Sequence, residues 1–332
     1  MNVMPHSIER CAGLVFGFVF RGQRGVAVRD DTLVETLEPG HDWVWLHLGL
    51  SDHRARRFLE NFAPVPPAAQ AFLLGNEDRL QIHLSPDCAY GVLPDLEQDF
   101  AEAETAAGRF CFWLDARHLV TVRRRPLHAV EKMHDAALGG LELASPAEAL
   151  ARLLTCYVEL VESRLMALAR DLDRIEDALL ADKDGIDRMK LGPLRRDLSR
   201  YHREFASLRS AIHRAASGRR GPADGPLAPY LPPLLQEAED AGRDAADLQD
   251  RARLIYEEID TRISANTNRS LSALTVISTL LLPPTFVVGA FGMNVEGLPW
   301  AHGSEGFAVV IGLCLLLVGA GYLVLRRFRI LP

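Results

Sequence analysis

Two uncharged stretches near the end of the chain constrain the fold more than any other feature. No residue from Ser270 to Val295 carries a charge, and a second uncharged stretch extends from Gly306 to Leu325. About 20 residues of helix cross the roughly 30 Å hydrocarbon core of a bilayer, whereas buried helices of soluble proteins are usually shorter. The sequence therefore predicts a large soluble region followed by a hairpin of two transmembrane helices.

The arginines beside these stretches predict the orientation in the membrane. The nearby arginines all precede the first stretch or follow the second: Arg262, Arg269, Arg326, Arg327 and Arg329. The loop between the stretches contains Glu296, His302 and Glu305 and neither lysine nor arginine. Since positive residues accumulate on the cytoplasmic side, we expect both termini in the cytoplasm of a multi-pass protein of the cell (inner) membrane.

Composition and motifs argue against several classes of function. The 332 residues carry a net charge of −7 without a basic tract interleaved with aromatic residues, which argues against nucleic acid as a partner. No nucleophile-and-base pair, phosphate-binding loop or cofactor fingerprint stands out, so we expect neither an enzyme nor a bound cofactor. The five cysteines are scattered, which suits buried thiols in a reducing cytosol.

The first 140 residues alternate segments typical of strands and of helices. Segments rich in β-branched and aromatic residues predict strands at 14–20, 44–48, 78–84, 90–96, 110–114 and 118–124. Ser51 is predicted as the N-cap of one helix, and Pro66 and Pro67 open another. The histidines, His47 among them, show no metal-ligand spacing. We therefore predict an α+β cytoplasmic domain, with a mixed sheet and helices, over residues 1–140.

Helical periodicity begins at Pro146 and continues to the membrane. Apolar residues recur every three or four positions over residues 150–179 and 191–212, so these two helices should pair as an antiparallel hairpin. A turn-rich connector then leads to a third helix, which we expect to enter the bilayer unbroken. We assign residues 141–233 to the cytoplasmic helical hairpin and connector, and residues 234–269 to a cytoplasmic stalk helix.

The stalk helix has two distinctive faces. Its apolar stripe is rich in small residues: Ala238, Ala241, Ala245 and Ala252. Small side chains would let like helices approach closely, so we expect a symmetric, closed ring of copies. The carboxylates between Glu237 and Asp260 are interpreted as a solvated face or, alternatively, as a surface that attracts divalent cations.

The main functional signal is a line of polar and small residues along the first membrane stretch. They are mostly three, four or seven positions apart: Asn268, Ser272, Thr275, Ser278, Thr279, Thr285, Gly289 and Asn294. One hydroxyl alone is explained by packing or by a bond to its own helix, but a whole stripe on a ring-forming helix favours a pore. Pro283 and Pro284 predict a kink or local unwinding, with Thr279 or water satisfying a freed carbonyl.

Gly292, Met293 and Asn294 stand at the predicted outer end of this stretch. Glycine allows a backbone turn without a side chain in the way, and asparagine offers a carbonyl oxygen to the water shell of a cation. Because Mg²⁺ sheds its water reluctantly, a ring of such oxygens suits a hydrated divalent ion.

Together these features resemble the CorA superfamily of divalent cation transporters. Gly-Met-Asn follows PPTFVVGAF and precedes a short acidic loop and a second terminal stretch. Segments along essentially the whole chain resemble the ZntB-like zinc transporter branch of that superfamily: 43–52, 79–96, 120–133, 282–285 and 292–300. The resemblance implies a homopentameric, funnel-shaped channel in membrane lipid.

The resemblance also implies an arrangement of the membrane segments and their residues. Residues 270–294 would form the pore-lining helix, 295–305 the external loop and 306–326 the second helix outside it. Asn294, with Gly292 and Met293, would form the selectivity ring. Six residues would face the axis: Asn268, Leu271, Leu274, Ser278, Leu282 and Thr285.

Three functions remain open from the sequence. The ZntB-like segments favour transport of Zn²⁺, which Glu296 and Glu305 would gather outside. Glu296 also occupies a position where the magnesium channels typically have an acidic residue, and the predicted pore stripe offers neither imidazole nor thiolate, which favours the alternative of a Mg²⁺/Co²⁺ channel. The third possibility is a membrane-anchored sensor or scaffold that transports nothing.

Overall fold

A computed structural model describes residues 13–28, 42–97, 107–181, 188–217, 224–293 and 306–327. The chain divides into two compact units, Met1–Arg253 and Leu254–Pro332. Asn294, Glu296 and Glu305 lie outside the described residues, as does the rest of the predicted loop 295–305. The predictions made for these residues therefore stay predictions.

The described strands of the first unit form one seven-stranded mixed sheet. They are β1 (Leu14–Arg21), β2 (Arg24–Val28), β3 (Trp43–Gly49), β4 (Gln81–Leu84), β5 (Ala89–Leu96), β6 (Ala107–Leu114) and β7 (His118–Arg123). Their order across the sheet is β2-β1-β3-β7-β6-β5-β4. Only β3 and β7 pair in parallel, with Leu46 opposite Val120, and the other neighbours are antiparallel. The predicted mixed sheet is therefore confirmed.

The described helices comprise three short ones, α1 to α3, and four longer ones, α4 to α7. They are α1 (His53–Asn61), α2 (Pro67–Leu74), α3 (His128–Leu138), α4 (Pro146–Leu180), α5 (Arg188–Ala216), α6 (Leu231–Phe291) and α7 (Gly306–Arg327). The apolar side chains of α1 and α2 pack with one face of the sheet, where Leu59, Leu73 and Trp113 are buried. Helix α3 contacts β2, β5 and α4, while α5 contacts the edge strand β4. Both faces of the sheet are thus covered by helices.

Strand β2 was missed by the sequence analysis. It pairs with β1 through a two-residue turn at Gly22 and Gln23, where Gly22 has φ 63°. Such left-handed backbone favours glycine, and two-residue hairpin turns of this kind are common. Because β2 is an edge strand with mostly exposed side chains, it lacks the apolar alternation that marks a strand in sequence.

The N-cap prediction for Ser51 was wrong by one residue. Helix α1 begins at His53, and Asp52 Oδ1 accepts the backbone N–H of Arg54 at 2.8 Å. The Ser51 hydroxyl instead donates to the carbonyl oxygen of Arg124 at 3.1 Å. Serine and aspartate are both good N-cap residues. Here the Ser51 hydroxyl is bound to the segment after β7, and Asp52 is the residue that caps the helix.

The predicted start of the long helical region is confirmed. Helix α4 begins at Pro146, and the Ser145 hydroxyl accepts the backbone N–H of Glu148 at 3.1 Å. The Glu148 carboxylate accepts the N–H of Ala144 at 2.8 Å, which satisfies a second backbone donor at this helix end. These contacts fix the entry of the chain into α4.

The alanine stripe has a different role from the predicted one. Ala238, Ala241, Ala245 and Ala252 are each at most 1% exposed within a single chain, so they already pack inside the first unit. A side-chain carbon at Gly242 would lie 3.2 Å from Cβ of Phe205 in α5, so α6 passes close to its neighbour. The stripe serves packing within the chain and is no argument for contact between copies.

Helix α6 is continuous from Leu231 to Phe291, as the sequence predicted for the stalk and first membrane stretch. Pro283 and Pro284 lie inside it and do not end it. Helices α6 and α7 are long and apolar enough to cross a membrane, judged by length and composition. They provide the two C-terminal apolar helices expected from the sequence.

Candidate ion pathway

One face of α6 is covered by α7 within the second unit. The Cys314 thiol of α7 donates to the carbonyl oxygen of Pro284 at 3.9 Å. A side-chain carbon at Gly321 would lie 3.4 Å from Cδ2 of Leu280 and 3.8 Å from the carbonyl oxygen of Thr279. Cys314 and Gly321 are seven residues apart, so they lie on the same face of α7.

The partly buried positions of α6 mark the face that α7 covers. They are Val276, Leu280, Pro283, Pro284, Val287, Ala290 and Phe291. At about 100° of rotation per residue, these positions span an arc of about 120° around the helix. The proline pair belongs to this face.

The residues predicted to line the pore lie on the opposite side of α6. All six are exposed in the single chain: Asn268, Leu271, Leu274, Ser278, Leu282 and Thr285. Their positions span an arc of about 120°, centred roughly 170° from the centre of the α7 face. The structure therefore groups the six residues on one stripe and leaves that stripe free of α7 contact.

The threonine hydroxyls of α6 donate to their own helix. Thr275 Oγ1 donates to the carbonyl oxygen of Leu271 at 2.8 Å, and Thr285 Oγ1 donates to that of Leu281 at 2.7 Å. The oxygen lone pairs stay available, so each hydroxyl can still accept a hydrogen bond from water. The stripe therefore presents acceptors to whatever solvent or ion lies beside it.

The expected role of Thr279 was wrong. Its hydroxyl donates to the carbonyl oxygen of Thr275 at 2.8 Å, because this acceptor lies one helical turn back and within easy reach. The carbonyl oxygen of Thr279 loses its helical donor because Pro283 has no N–H. Gly321 of α7 approaches that carbonyl, so the freed group faces the neighbouring helix.

Gly292 and Met293 follow the last residue of α6. The N–H of Gly292 donates to the carbonyl oxygen of Val288 at 2.9 Å, and that of Met293 donates to Ala290 at 3.4 Å. The Met293 side chain is 58% exposed. The backbone thus continues to turn at this end of α6, immediately before the predicted ring residue Asn294.

The described residues contain no group of three or more histidine, cysteine or acidic side chains arranged to hold a metal. Several carboxylates of the stalk have partners: Glu237 accepts from Thr155 at 3.0 Å, and Glu258 pairs with Arg262 at 2.7 Å. Burial and the nearby carboxylate of Asp244 raise the pKa of Glu162.

Two buried polar groups stabilise the sheet domain. Asp95 on β5 accepts the backbone N–H groups of Ala129 and Val130 at 2.8 and 3.1 Å, so a strand carboxylate caps the start of α3. Burial raises the pKa of Asp95 to about 7, against these hydrogen bonds, which lower it. His47 is fully buried with Nδ1 2.8 Å from the hydroxyl of Thr121, and burial lowers its pKa well below the usual range. His47 is structural, as expected.

The sequence analysis missed the residues that hold α7 against α6. Cys314 was predicted to lie in the second membrane stretch, away from the axis, but Gly321 was not identified, although glycine on a membrane helix commonly marks a close helix contact. Gly312 and Gly319 are equally visible in the sequence, yet they face the opposite side of α7 with no atom within 4 Å of an added carbon. Glycine alone therefore does not identify the contact face of α7.

Comparison with known proteins decides the family. The sequence model of the CorA-like Mg²⁺ transporter protein family matches residues 40–327. The chain belongs to this family. It is 27% identical over 325 residues to the divalent cation transporter CmaX of Pseudomonas aeruginosa, covering 96% of both chains. It is 25% identical to the zinc transport protein ZntB of Photorhabdus laumondii, covering 96% of this chain and 95% of the relative.

Solved structures agree on the fold. The full-length CmaX structure matches with a TM-score of 0.79 at 25% identity, covering 98% of this chain and 100% of that one. The complete CorA magnesium transporter of Methanocaldococcus jannaschii matches with a TM-score of 0.74 at 16% identity, covering 94% of this chain and 98% of that one. The predicted superfamily is confirmed, and membership in a family of transporters confirms that the chain is not an enzyme.

Proposed function

We propose that the protein is a homopentamer of the cell (inner) membrane that transports divalent metal cations, with Zn²⁺ as the first candidate. The observation that carries this proposal is the division of α6 into two opposite faces. One face is covered by α7, while the opposite face carries the six predicted pore residues and is bare in a single chain. A bare, partly polar stripe in a membrane helix needs water or further copies beside it.

Several copies are required because one helix cannot enclose a path for an ion. A closed ring places the same stripe of every copy at the axis and leaves α7 on the outside. Large apolar side chains outside the stripe, such as Ile277 of α6 at 54% and Phe307 of α7 at 78% exposed, would then contact neighbouring copies or lipid. The resemblance to the CorA superfamily supports five copies.

In this proposal the stripe lines the pore from the cytoplasmic side to a ring at the outer end. Asn294 supplies the carbonyl oxygens of the ring, with Gly292 and Met293 setting its backbone, and Glu296 gathers cations before they enter. The cation is the transported substrate, and no cofactor is proposed. The arginines before α6 and at the end of α7 support a cytoplasmic location of both termini.

Relatives support the class of substrate but differ in their named ions. One is named a divalent cation transporter, and another is named a zinc transport protein. The zinc proposal rests on this likeness and on the ZntB-like segments. The Mg²⁺/Co²⁺ alternative is favoured by Glu296 and by the oxygen-only stripe, since Zn²⁺ normally selects imidazole and thiolate. Cys314 lies on the α7 face that contacts α6, away from the stripe.

A sensor or scaffold without transport is the least supported function. Plain apolar anchors would serve such a protein, whereas the first membrane stretch combines the polar stripe, the proline pair and the Gly-Met-Asn sequence. The mass of the purified protein in detergent separates these possibilities. A ring of five copies of the 36.7 kDa chain supports the channel, and a monomer at all concentrations would contradict it.

Flux into liposomes tests the function and the ion together. Purified protein is reconstituted with a zinc-sensitive and a magnesium-sensitive dye inside the vesicles. The matched set is the wild type, Asn294→Ala, and Leu316→Ala, which changes a side chain of α7 that is 66% exposed.

We expect zinc entry that Asn294→Ala abolishes and Leu316→Ala retains. Magnesium entry without zinc entry would support the alternative ion. If no divalent cation enters through a folded pentamer, with or without a pH difference across the membrane, the proposed function is wrong.

A further inference from the structure

A basic groove lies along α5 in the first unit, beside the segment 78–80 that precedes β4 and beside Glu239 near the start of α6. It consists of two adjoining cavities of about 400 and 480 Å³. Both are lined by Ser210 and Arg214 of α5, so the two cavities adjoin at these residues. Each volume is in the range that holds a small-molecule ligand.

The groove concentrates positive charge in a chain that is acidic overall. Arg79, Arg209 and Arg214 line it together with His213, and the hydroxyl of Ser207 adds a neutral donor. Helix α5 supplies most of these residues. Ser207, Ser210 and Arg214 recur at helical spacing, so their side chains lie along one face.

Arg109 lines the groove, and its guanidinium is already bound to other groups of the protein. Its guanidinium pairs with Glu204 at 2.7 Å and donates to the carbonyl oxygens of Asp78 and Gly108 at 3.2 and 2.8 Å. The pair joins β6 to α5 across the base of the groove. Arg109 is therefore structural, and the arginines nearer the opening have a different role.

The remaining guanidiniums have little else to bind. Arg214 makes a long hydrogen bond of 3.4 Å to the carbonyl oxygen of Leu80. Among the described residues, no ion pair or hydrogen bond joins the side chain of Arg79 or Arg209 to another group. Guanidinium groups in this situation are well suited to phosphate, whose oxygens match their fork of N–H donors.

We propose that this groove binds a small polyphosphate-bearing anion. The cationic lining extends over both cavities, from Arg79 in one to Arg209 in the other with Arg214 in both, which favours an extended chain of phosphates over a single one. The described lining contains no Phe, Tyr or Trp side chain on which a nucleobase could stack. Recognition is therefore directed at the phosphates, and a nucleotide would bind no more tightly than the bare polyphosphate.

Two carboxylates, Asp78 and Glu239, also line the groove. They oppose a fully charged polyphosphate, but they tolerate one whose charge is reduced by a bound Mg²⁺. Sites for Mg²⁺-phosphate complexes commonly combine one or two carboxylates with cationic residues. The suitable probe is therefore tripolyphosphate in the presence of a constant concentration of Mg²⁺.

The test measures binding of Mg²⁺-tripolyphosphate to the full-length protein in detergent by calorimetry. The variants are Arg79→Ala and Arg214→Ala, and the control is Arg196→Ala, an exposed arginine of α5 outside the groove. Thermal unfolding without ligand checks that the variants fold, and ATP in place of tripolyphosphate tests the role of the base.

We expect saturable binding that each groove variant weakens at least tenfold and that Arg196→Ala leaves within twofold. Absence of saturable binding at millimolar probe would overturn the proposal. An equal weakening of probe binding in Arg196→Ala would overturn it as well. A groove variant that changes the oligomeric mass but not the binding of the probe would instead assign these arginines to contact between copies, which also contradicts the proposal. Cation flux is not part of the readout, so failure here leaves the transport proposal intact.

Discussion

Replacement of Gly321 tests the contact that holds α7 against the proline-containing face of α6. An added carbon at this position would lie 3.4 Å from Cδ2 of Leu280, which is ordinary van der Waals contact. We therefore expect Gly321→Ala to be nearly neutral. Gly321→Leu adds three more carbons that must occupy the space of Leu280 or push the two helices apart.

The expected loss of stability is obtained by comparison with Gly312, a matched glycine on the same helix. Overpacking in a well-packed region typically costs about 1–3 kcal/mol. Replacement of glycine by leucine also changes helix propensity, by roughly 0.8 kcal/mol in the favourable direction in soluble helices. Gly312→Leu carries the same propensity change, but no atom lies within 4 Å of the added carbon. The difference between the two variants isolates the clash and should be about 1–3 kcal/mol.

The assay is reversible unfolding of the full-length protein in mixed micelles with increasing SDS, followed by far-ultraviolet circular dichroism. Gly321→Leu should unfold at a lower SDS fraction than Gly312→Leu, with Gly321→Ala close to wild type. Equal midpoints for the two leucine variants would refute the packing of α7 through Gly321. If Gly312→Leu instead unfolds at a lower SDS fraction than Gly321→Leu, the opposite face of α7 makes the tighter contact.

Two further predictions concern the soluble region. Asp52→Ala removes the N-cap of α1 and should lower the free energy of unfolding by about 1 kcal/mol. Ser51→Ala leaves this cap intact and should lower the free energy of unfolding by less. Chemical denaturation of the two variants measures the difference. Burial raises the pKa of Asp95 to about 7 from the ordinary value of 3.8, so the folded chain holds a proton that the unfolded chain releases. The contribution of Asp95 to stability is therefore largest below pH 4 and is lost as pH rises through 7, falling by roughly 2 kcal/mol between pH 5.5 and 8. Thermal unfolding across this range should show that fall in the wild type and a flatter profile in Asp95→Asn; an unchanged profile would show that Asp95 is not its source.

The sequence predicts the elements with strong local signals and misses those that depend on distant partners. Pro146 and the apolar periodicity after it identify α4, and the uncharged stretches identify the membrane part of α6 and α7. Strand β2 lacks an apolar face, so its pairing with β1 is visible only in three dimensions. The capping of α3 by Asp95 joins residues more than thirty positions apart, which no local pattern reveals.

The alanine stripe shows a second limit of sequence reasoning. A row of small residues indicates that something packs closely, but it does not identify the partner. Ala241 and Ala245 are buried within the same chain, so the partner is intramolecular. The stripe of Ser278 and Thr285 resembles it in spacing, yet that stripe is bare in a single chain. Only the position of α7 on the opposite face distinguishes the two cases.

The most direct test of the account is chemical modification of single cysteines during ion flux. Ser278→Cys lies on the bare stripe of α6, and Gly312→Cys lies on the face of α7 turned away from α6. A small, positively charged thiol reagent is added to liposomes containing each variant, with the wild type as the blank for its native cysteines. We predict that modification stops cation entry through Ser278→Cys and leaves Gly312→Cys and wild type unchanged. Entry that continues after complete modification of Ser278→Cys would contradict a pore lined by this stripe.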